Sequence, residues 1–277
     1  MRIDAHQHFW RYAAEEYPWI GPGMEVLARD YLPADLEPLL AARGIDGTVA
    51  VQARQSLEET RWLLELADGH PFIKGVVGWV DLRSTHVADQ LARFAGHPRF
   101  VGVRHVVQDE ADPRFLLGEA FRHGIARVTE AGIVYDILIL APQLPAATEL
   151  AALHPTQPFV LDHLAKPQIA AGRLDPWRDD LRALARHPHV SCKLSGMVTE
   201  ARLRRWRRED FLPFMETALE AFSPERLMFG SDWPVCTLSA DYGEVAGIVD
   251  DFLGRLSADE RGAILGRTAA RVYGLGE

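Results

Sequence analysis

Eight short runs of aliphatic and β-branched residues recur along this chain, and a segment of helical character follows each one. The runs lie at 3–8, 45–51, 73–80, 100–107, 133–140, 159–164, 190–195 and 227–232. Helical segments are expected over 33–44, 56–67, 85–95, 113–131, 144–153 and 176–187, within a loop and helix over 197–222, and over 241–255. Gly44 closes the first of these, Ser56 and Glu59 form a capping box for the second, and Ser257 and Glu260 form another for a terminal helical cap. Runs that are apolar almost throughout suit a parallel sheet covered on both faces. Eight βα units predict an α/β fold of the (β/α)8, or TIM-barrel, type. The 277 residues suffice for one such domain over 1–277, since the barrel takes about 250. When such a barrel closes, strands one and eight become neighbours, and polar residues late in them share one mouth.

The same pattern excludes several functions. The net charge is −9 and no basic stretch marks a nucleic-acid surface. Arg204-Arg205-Trp206-Arg207-Arg208 is the one basic cluster, and it reads as a solvated helix face. No apolar run approaches the ~20 residues that span a bilayer, so no membrane is expected. Cys192 and Cys236 are too few for a disulfide framework, and the chain enters a strand with no signal peptide ahead of it, so the cytoplasm is the expected compartment. Residues 11–32, with Tyr12, Tyr17-Pro18-Trp19 and Gly21-Pro22-Gly23, make a long aromatic loop that reads as a cover over the mouth.

Side chains at i and i+2 of a strand share a face, so His6 and His8 converge past the end of strand one. A His-x-His pair alone is more often two core histidines with satisfied hydrogen bonds. Asp232 at the end of strand eight changes that weighting, because two imidazoles and a carboxylate then meet at one point. His6, His8 and Asp232 are the candidate metal ligands, and Asp232 is also the candidate general base. His163, in Leu161-Asp162-His163-Leu164-Ala165-Lys166-Pro167, is expected to end strand six, with Lys166 as a donor to a carbonyl oxygen. Arg104 lies in an apolar strand and needs a partner: Asp81, Asp136, the substrate or a developing oxyanion. His105 should face the other way. Gln52, Trp79, Tyr135, Lys193 and Trp233 are candidates for the wall of a substrate pocket, against the commoner role of large aromatics as plain core.

The segments Ile3-Asp4-Ala5-His6-Gln7-His8-Phe9-Trp10, Leu161 to Pro167, Cys192-Lys193-Leu194-Ser195-Gly196 and Gly230-Ser231-Asp232-Trp233-Pro234-Val235 resemble the amidohydrolase superfamily. Within it they resemble the sugar-lactonase branch, to which 2-pyrone-4,6-dicarboxylate lactonase is a cousin. The resemblance covers the whole chain. It implies a small-molecule substrate, an aldonolactone made by oxidation of a deoxy sugar, such as L-fuconolactone. Asp232 would activate water, and His6, His8 and Asp232 match the strand-one and strand-eight positions of the family. The bridging lysine of its two-metal members is absent from strands four and five. One divalent ion is therefore expected, and imidazole with carboxylate suits zinc. The 2-pyrone-4,6-dicarboxylate lactonase branch implies that the same frame can work without metal. The alternatives are a metal-dependent amidohydrolase or decarboxylase acting on a small carboxylated substrate, and a barrel that only binds a polyol.

Overall fold

The apolar runs form the strands. In a computed structural model, which describes residues 1–276, they are β1 (Ile3–Gln7), β2 (Gly47–Val51), β3 (Ile73–Gly78), β4 (Phe100–Val106), β5 (Val134–Leu138), β6 (Phe159–Leu161), β7 (Val190–Leu194) and β8 (Leu227–Phe229). They make one sheet in sequence order, and every ladder is parallel. The ring closes where Asp232 N donates to His6 O (2.8 Å), His8 N donates to Trp233 O (2.7 Å) and Gln7 bridges Trp233. The expected (β/α)8 barrel is therefore present. Its outer layer is α1 (Pro33–Ala42), α2 (Leu57–Gly69), α3 (Val87–Ala92), α4 (Glu119–Glu130), α5 (Leu144–Leu153), α6 (Trp177–Ala185), α7 (Met197–Glu200), α8 (Leu212–Phe222) and α9 (Tyr242–Leu253). The chain ends through α10 (Ala258–Gly262) and α11 (Thr268–Tyr273).

Strand alternation sorts two cores. Tyr135 points outward, with ring centroids 5.7 Å from Phe121 and 6.2 Å from Phe159. Val134, Val160, Met228, Val49, Val77 and Val101 fill the barrel, where Tyr273 and Leu275 of the C-terminal segment join them. The last turns of the chain thus plug the floor of the barrel. Among the described residues, no helix is long and apolar enough to cross a membrane.

Several expectations change in detail. Most strands stop earlier than their apolar runs, so the polar residues expected at strand ends stand in the loops beyond. The segment over 113–131 is a 3-10 turn (Phe115–Leu117) followed by α4, because Gly118 adopts an extended ψ of 138° between them. The basic cluster 204–208 is not a helix face: only Arg208 enters helical structure, at the start of a 3-10 turn (Arg208–Asp210). The rest is an exposed turn with Arg204 at φ 56°, and only Trp206 packs inward, its Nε1 donating to Ser239 O (3.2 Å). Residues 11–32 do fold over the mouth, pinned by paired backbone bonds between Trp10 and Tyr31 (3.0 and 2.9 Å). The capping box at Ser257 forms in both directions. At Ser56 only half forms: the hydroxyl accepts from Glu58 N and Glu59 N, while the Glu59 carboxylate turns to Ala53 N and Arg54 N.

Asp4 staples the closing seam. Its buried carboxylate accepts from His6 N (3.1 Å), Ser231 N (2.9 Å) and Tyr242 Oη (3.0 Å). Burial lifts its carboxyl to about 6, against the pull of these donors. Tyr242→Phe leaves that buried acceptor short of one donor, so it should destabilise the fold by about 1–3 kcal/mol. The measurement is a lower urea midpoint at unchanged m value.

Candidate active site

The mouth gathers its side chains by three departures from regular strand geometry. Ile3 and Ala5 face the barrel interior, so strict alternation would turn His6 outward to the helices. The register between β1 and β2 shifts between Asp4 and Gln7, and this irregularity brings His6 to the inside as well. Gly230 lets the two strands close here, since a Cβ on it would lie 2.6 Å from His6 Cβ. After β6, His163, Leu164, Ala165 and Lys166 all take the left-handed conformation, with φ of 54°, 56°, 57° and 51°. Such backbone costs L-residues roughly 1–2 kcal/mol each. It is held by Trp177 Nε1 donating to Leu164 O (2.6 Å) and by burial of Leu164 and Ala165. The turn swings His163 against Gly196, where a Cβ would sit 2.5 Å from the imidazole Nδ1. Asp232, three residues beyond β8, is also left-handed (φ 59°). Sequence reading placed His163 and Asp232 at strand ends; the backbone turns aim them instead.

Four groups converge. His6 Nε2 lies 3.2 Å from His8 Nε2, and Asp232 Oδ1 lies 3.4 Å from His8 Nε2 and 3.8 Å from both His6 Nε2 and His163 Nε2. Each ring has a partner behind it. His8 Nδ1–H donates to Val51 O (2.8 Å), which leaves its Nε2 lone pair facing the centre. His6 Nδ1 faces Asp162 Oδ1 (3.3 Å) and Lys193 Nζ (3.1 Å), and Arg104 Nη1 points at His6 Nε2 (3.3 Å). Arg104 and Lys193 both only donate, so of these neighbours Asp162 alone can accept the His6 Nδ1–H, in the tautomer that turns the Nε2 lone pair to the centre. His163 Nδ1 pairs with Ser195 Oγ (2.8 Å). Burial lowers His6 and pushes His163 down to about 4, so both rings are neutral near pH 7. Burial opposes the charge of Asp232, but His163, His8 and His6 outweigh it and hold the carboxyl below its usual range.

A layer of charge lies under this centre. Lys193 has no exposed surface and pairs with Asp136 (2.6 Å) and Asp162 (3.0 Å). Arg104 donates to Asp162 Oδ2 (2.9 Å) and to Gln52 O. Tyr273 from the C-terminal plug donates to Asp136 (2.8 Å). Burial drives Asp136 up to about 6; Asp162 is also buried, yet Lys193, His6 and Arg104 hold it well below the usual carboxylate range. The cations Arg104 and Lys193 face three carboxylates, Asp136, Asp162 and Asp232, so one negative charge is left over.

The donor set fits a divalent metal ion. Tetrahedral ligands at 2.0–2.2 Å stand about 3.3–3.6 Å apart, close to the spacings among His6, His8 and Asp232. The lone pairs face inward, carbonyl and carboxylate partners stand behind the rings, and the unbalanced charge is negative.

Other expected residues fall elsewhere. Tyr135 belongs to the outer core, because it is one residue out of phase with the inward Asp136. Lys193 lies beneath the site and not in its wall, locked by two carboxylates. Arg104 finds neither Asp81 nor Asp136, and its partner is Asp162. His105 faces outward as expected, paired with Glu110 (2.7 Å). Gln52 is buried at the end of β2, with no partner for its Oε1 among the described residues. Trp79 follows β3, half-buried, and Trp233 packs on Phe9 and Tyr31 (6.1 and 5.2 Å). Lys166 stays half-buried beside Glu200, whose carboxyl burial raises while Lys166 opposes and Asp232 reinforces the shift. Sequence reading gave no role to Asp162, Ser195 or Glu200; for the first two the available signal was a polar residue abutting an apolar strand end.

A family model described as amidohydrolase matches residues 3–275. An L-fucono-1,5-lactonase of Burkholderia multivorans is 50% identical, covering 100% of this chain and 97% of the relative. An L-fucono-1,5-lactonase of Burkholderia ambifaria is 38% identical, covering 99% and 95%. A crystal structure of an amidohydrolase from Burkholderia multivorans with bound zinc superposes with a TM-score of 0.95, at 49% identity and full coverage of both chains.

Replacing Lys193 with methionine strands Asp136 and Asp162 without their ammonium. Lys193→Met should therefore cost about 3–5 kcal/mol, measured by chemical denaturation.

Proposed function

The chain belongs to the amidohydrolase family, and on that premise we propose that it hydrolyses a sugar-derived aldonolactone, L-fucono-1,5-lactone foremost, to the aldonic acid. The observation that carries this reading is the meeting of His6, His8, His163 and Asp232 at one point, in a chain half identical to a lactonase of that name. We also place the protein in the cytoplasm, in keeping with its two free, buried thiols.

Asp232 takes the proton from the attacking water. Its low affinity for protons keeps it ionised at neutral pH, and with Oδ1 turned to the imidazoles, Oδ2 is the oxygen free for that proton. The water oxygen adds to the lactone carbonyl carbon. The oxyanion so formed would be met by His163, held by Ser195, and by the ammonium of Lys166, with Arg104 adding positive charge from the layer beneath. The ring C–O bond then breaks, and Asp232 returns its proton to the leaving ring oxygen. Bound by His6, His8 and Asp232, a zinc ion would polarise the lactone carbonyl as a Lewis acid. Gln52, Trp79, Trp233 and the aromatic cover stand at this end to meet the sugar, and Gln52 Oε1 and Trp79 Nε1 have no partner among the described residues.

A pH-indicator assay of acid release from a panel of aldonolactones tests the reaction. Release from a deoxy-sugar lactone supports it. No release from any lactone by folded protein would favour amide hydrolysis or decarboxylation instead. Asp232→Asn should lower kcat by about 10²–10⁴-fold with the circular dichroism spectrum unchanged, and wild-type turnover in that variant would sink the role given to Asp232.

A further inference from the structure

Glu59 is a carboxylate with 1% of its surface exposed, and it lies outside the site described above. Carboxylates are almost never this buried without partners. On the first turn of α2 its expected task was to cap Ser56 N. It instead accepts from Ala53 N (3.0 Å), Arg54 N (2.8 Å) and Tyr17 Oη (3.3 Å). The first two bonds clamp the loop after β2 directly beyond Val51 and Gln52. Those two residues supply the carbonyls that receive His8 Nδ1–H and the Arg104 guanidinium. The third bond reaches the cover, and Arg54 adds a second tie to it through Glu16 (2.7 Å). From Tyr17 an aromatic chain runs on to Trp10 (5.9 Å), Tyr31 (5.4 Å) and Trp233 (5.2 Å), the residue after Asp232.

We infer that Glu59 is a positioning residue with two arms: through Ala53 and Arg54 it sets the backbone that orients His8, and through Tyr17 it holds the aromatic cover over the bound sugar. It touches neither the substrate nor the reacting atoms. The inference rests on the lactonase reading of the mouth for its kinetic consequences, and on the geometry of His8 alone for its effect on metal affinity. The two arms are separable, because Tyr17→Phe cuts the cover arm and leaves the bonds to Ala53 and Arg54 in place.

The test compares wild type, Glu59→Gln and Tyr17→Phe. Zinc Kd is read by competition with a chromophoric chelator, kcat and KM on L-fucono-1,5-lactone, and folding by thermal melt. Glu59→Gln should weaken zinc binding about five- to tenfold, below the roughly 10–100-fold that loss of a direct outer partner of a metal ligand costs because Glu59 acts one step behind Val51, and lower kcat by about tenfold. Tyr17→Phe should keep zinc Kd within about twofold and raise KM about three- to fivefold at unchanged kcat, a split that general loosening of the fold would not produce. A folded Glu59→Gln protein with wild-type zinc Kd and kcat overturns the proposal. If Glu59→Gln does not fold, Tyr17→Phe decides, and an unchanged KM overturns it. If wild type cleaves no lactone, the functional reading fails, while the zinc Kd of Glu59→Gln still decides the role of Glu59.

Discussion

An ammonium group with no access to water sits at the middle of the barrel, and the mouth is built on top of it. Lys193 can be there only because Asp136 and Asp162 meet it, and those carboxylates can be there only because Lys193, Arg104 and Tyr273 meet them. Burying any one of these charges alone would cost several kcal/mol, so the network stands or falls as a unit. Asp162 and Lys193 together present one hydrogen-bonding face to His6, which determines which imidazole nitrogen looks up into the site. The plug of the barrel floor takes part through Tyr273, so the closing helix at the far end of the fold is tied into the charge layer beneath the mouth.

Above that layer the chain leaves regular strand geometry wherever one of the converging side chains is aimed at the mouth. The shifted register of β1, the left-handed turn from His163 to Lys166 and the left-handed Asp232 are each unfavourable for the backbone in isolation. Close packing around them, with Trp177 on the turn and Gly196 and Gly230 yielding space, keeps them in place. The outcome is a centre of three imidazoles and one ionised carboxylate, set over a surplus of negative charge. Such a centre suits a divalent cation, and in the proposed mechanism its carboxylate accepts the proton of a water.

The cover and the floor are joined to this centre by different physics. The floor acts through charge. The cover acts through tilted and edge-to-face rings, from Tyr17 through Trp10 and Tyr31 to Trp233, and through the buried Glu59 that ties it to the β2 loop. Glu59 shows how a local signal can be correct about a helix start and wrong about a side chain. Ser56 does cap α2, but burial offered Glu59 better donors than the cap did.

The strand count, the alternation with helices, the aromatic cover and the meeting of His6, His8 and Asp232 were all legible in the sequence. The first two follow from the period of apolar residues along the chain, the cover from a long loop rich in aromatics, and the meeting of the three side chains from the closure that eight βα units imply. The tertiary structure alone decided that Tyr135 faces the helices while Asp136 faces the barrel, that Lys193 lies beneath the site, that Arg104 belongs to Asp162, and that a left-handed turn delivers His163. A one-residue change of register reverses which face a side chain takes. The partner of a buried charge is set by which opposite charge shares its dry space, at separations such as Arg104 and Asp162, 58 residues apart. No local pattern in the chain carries that information, because desolvation acts only once distant segments have come together.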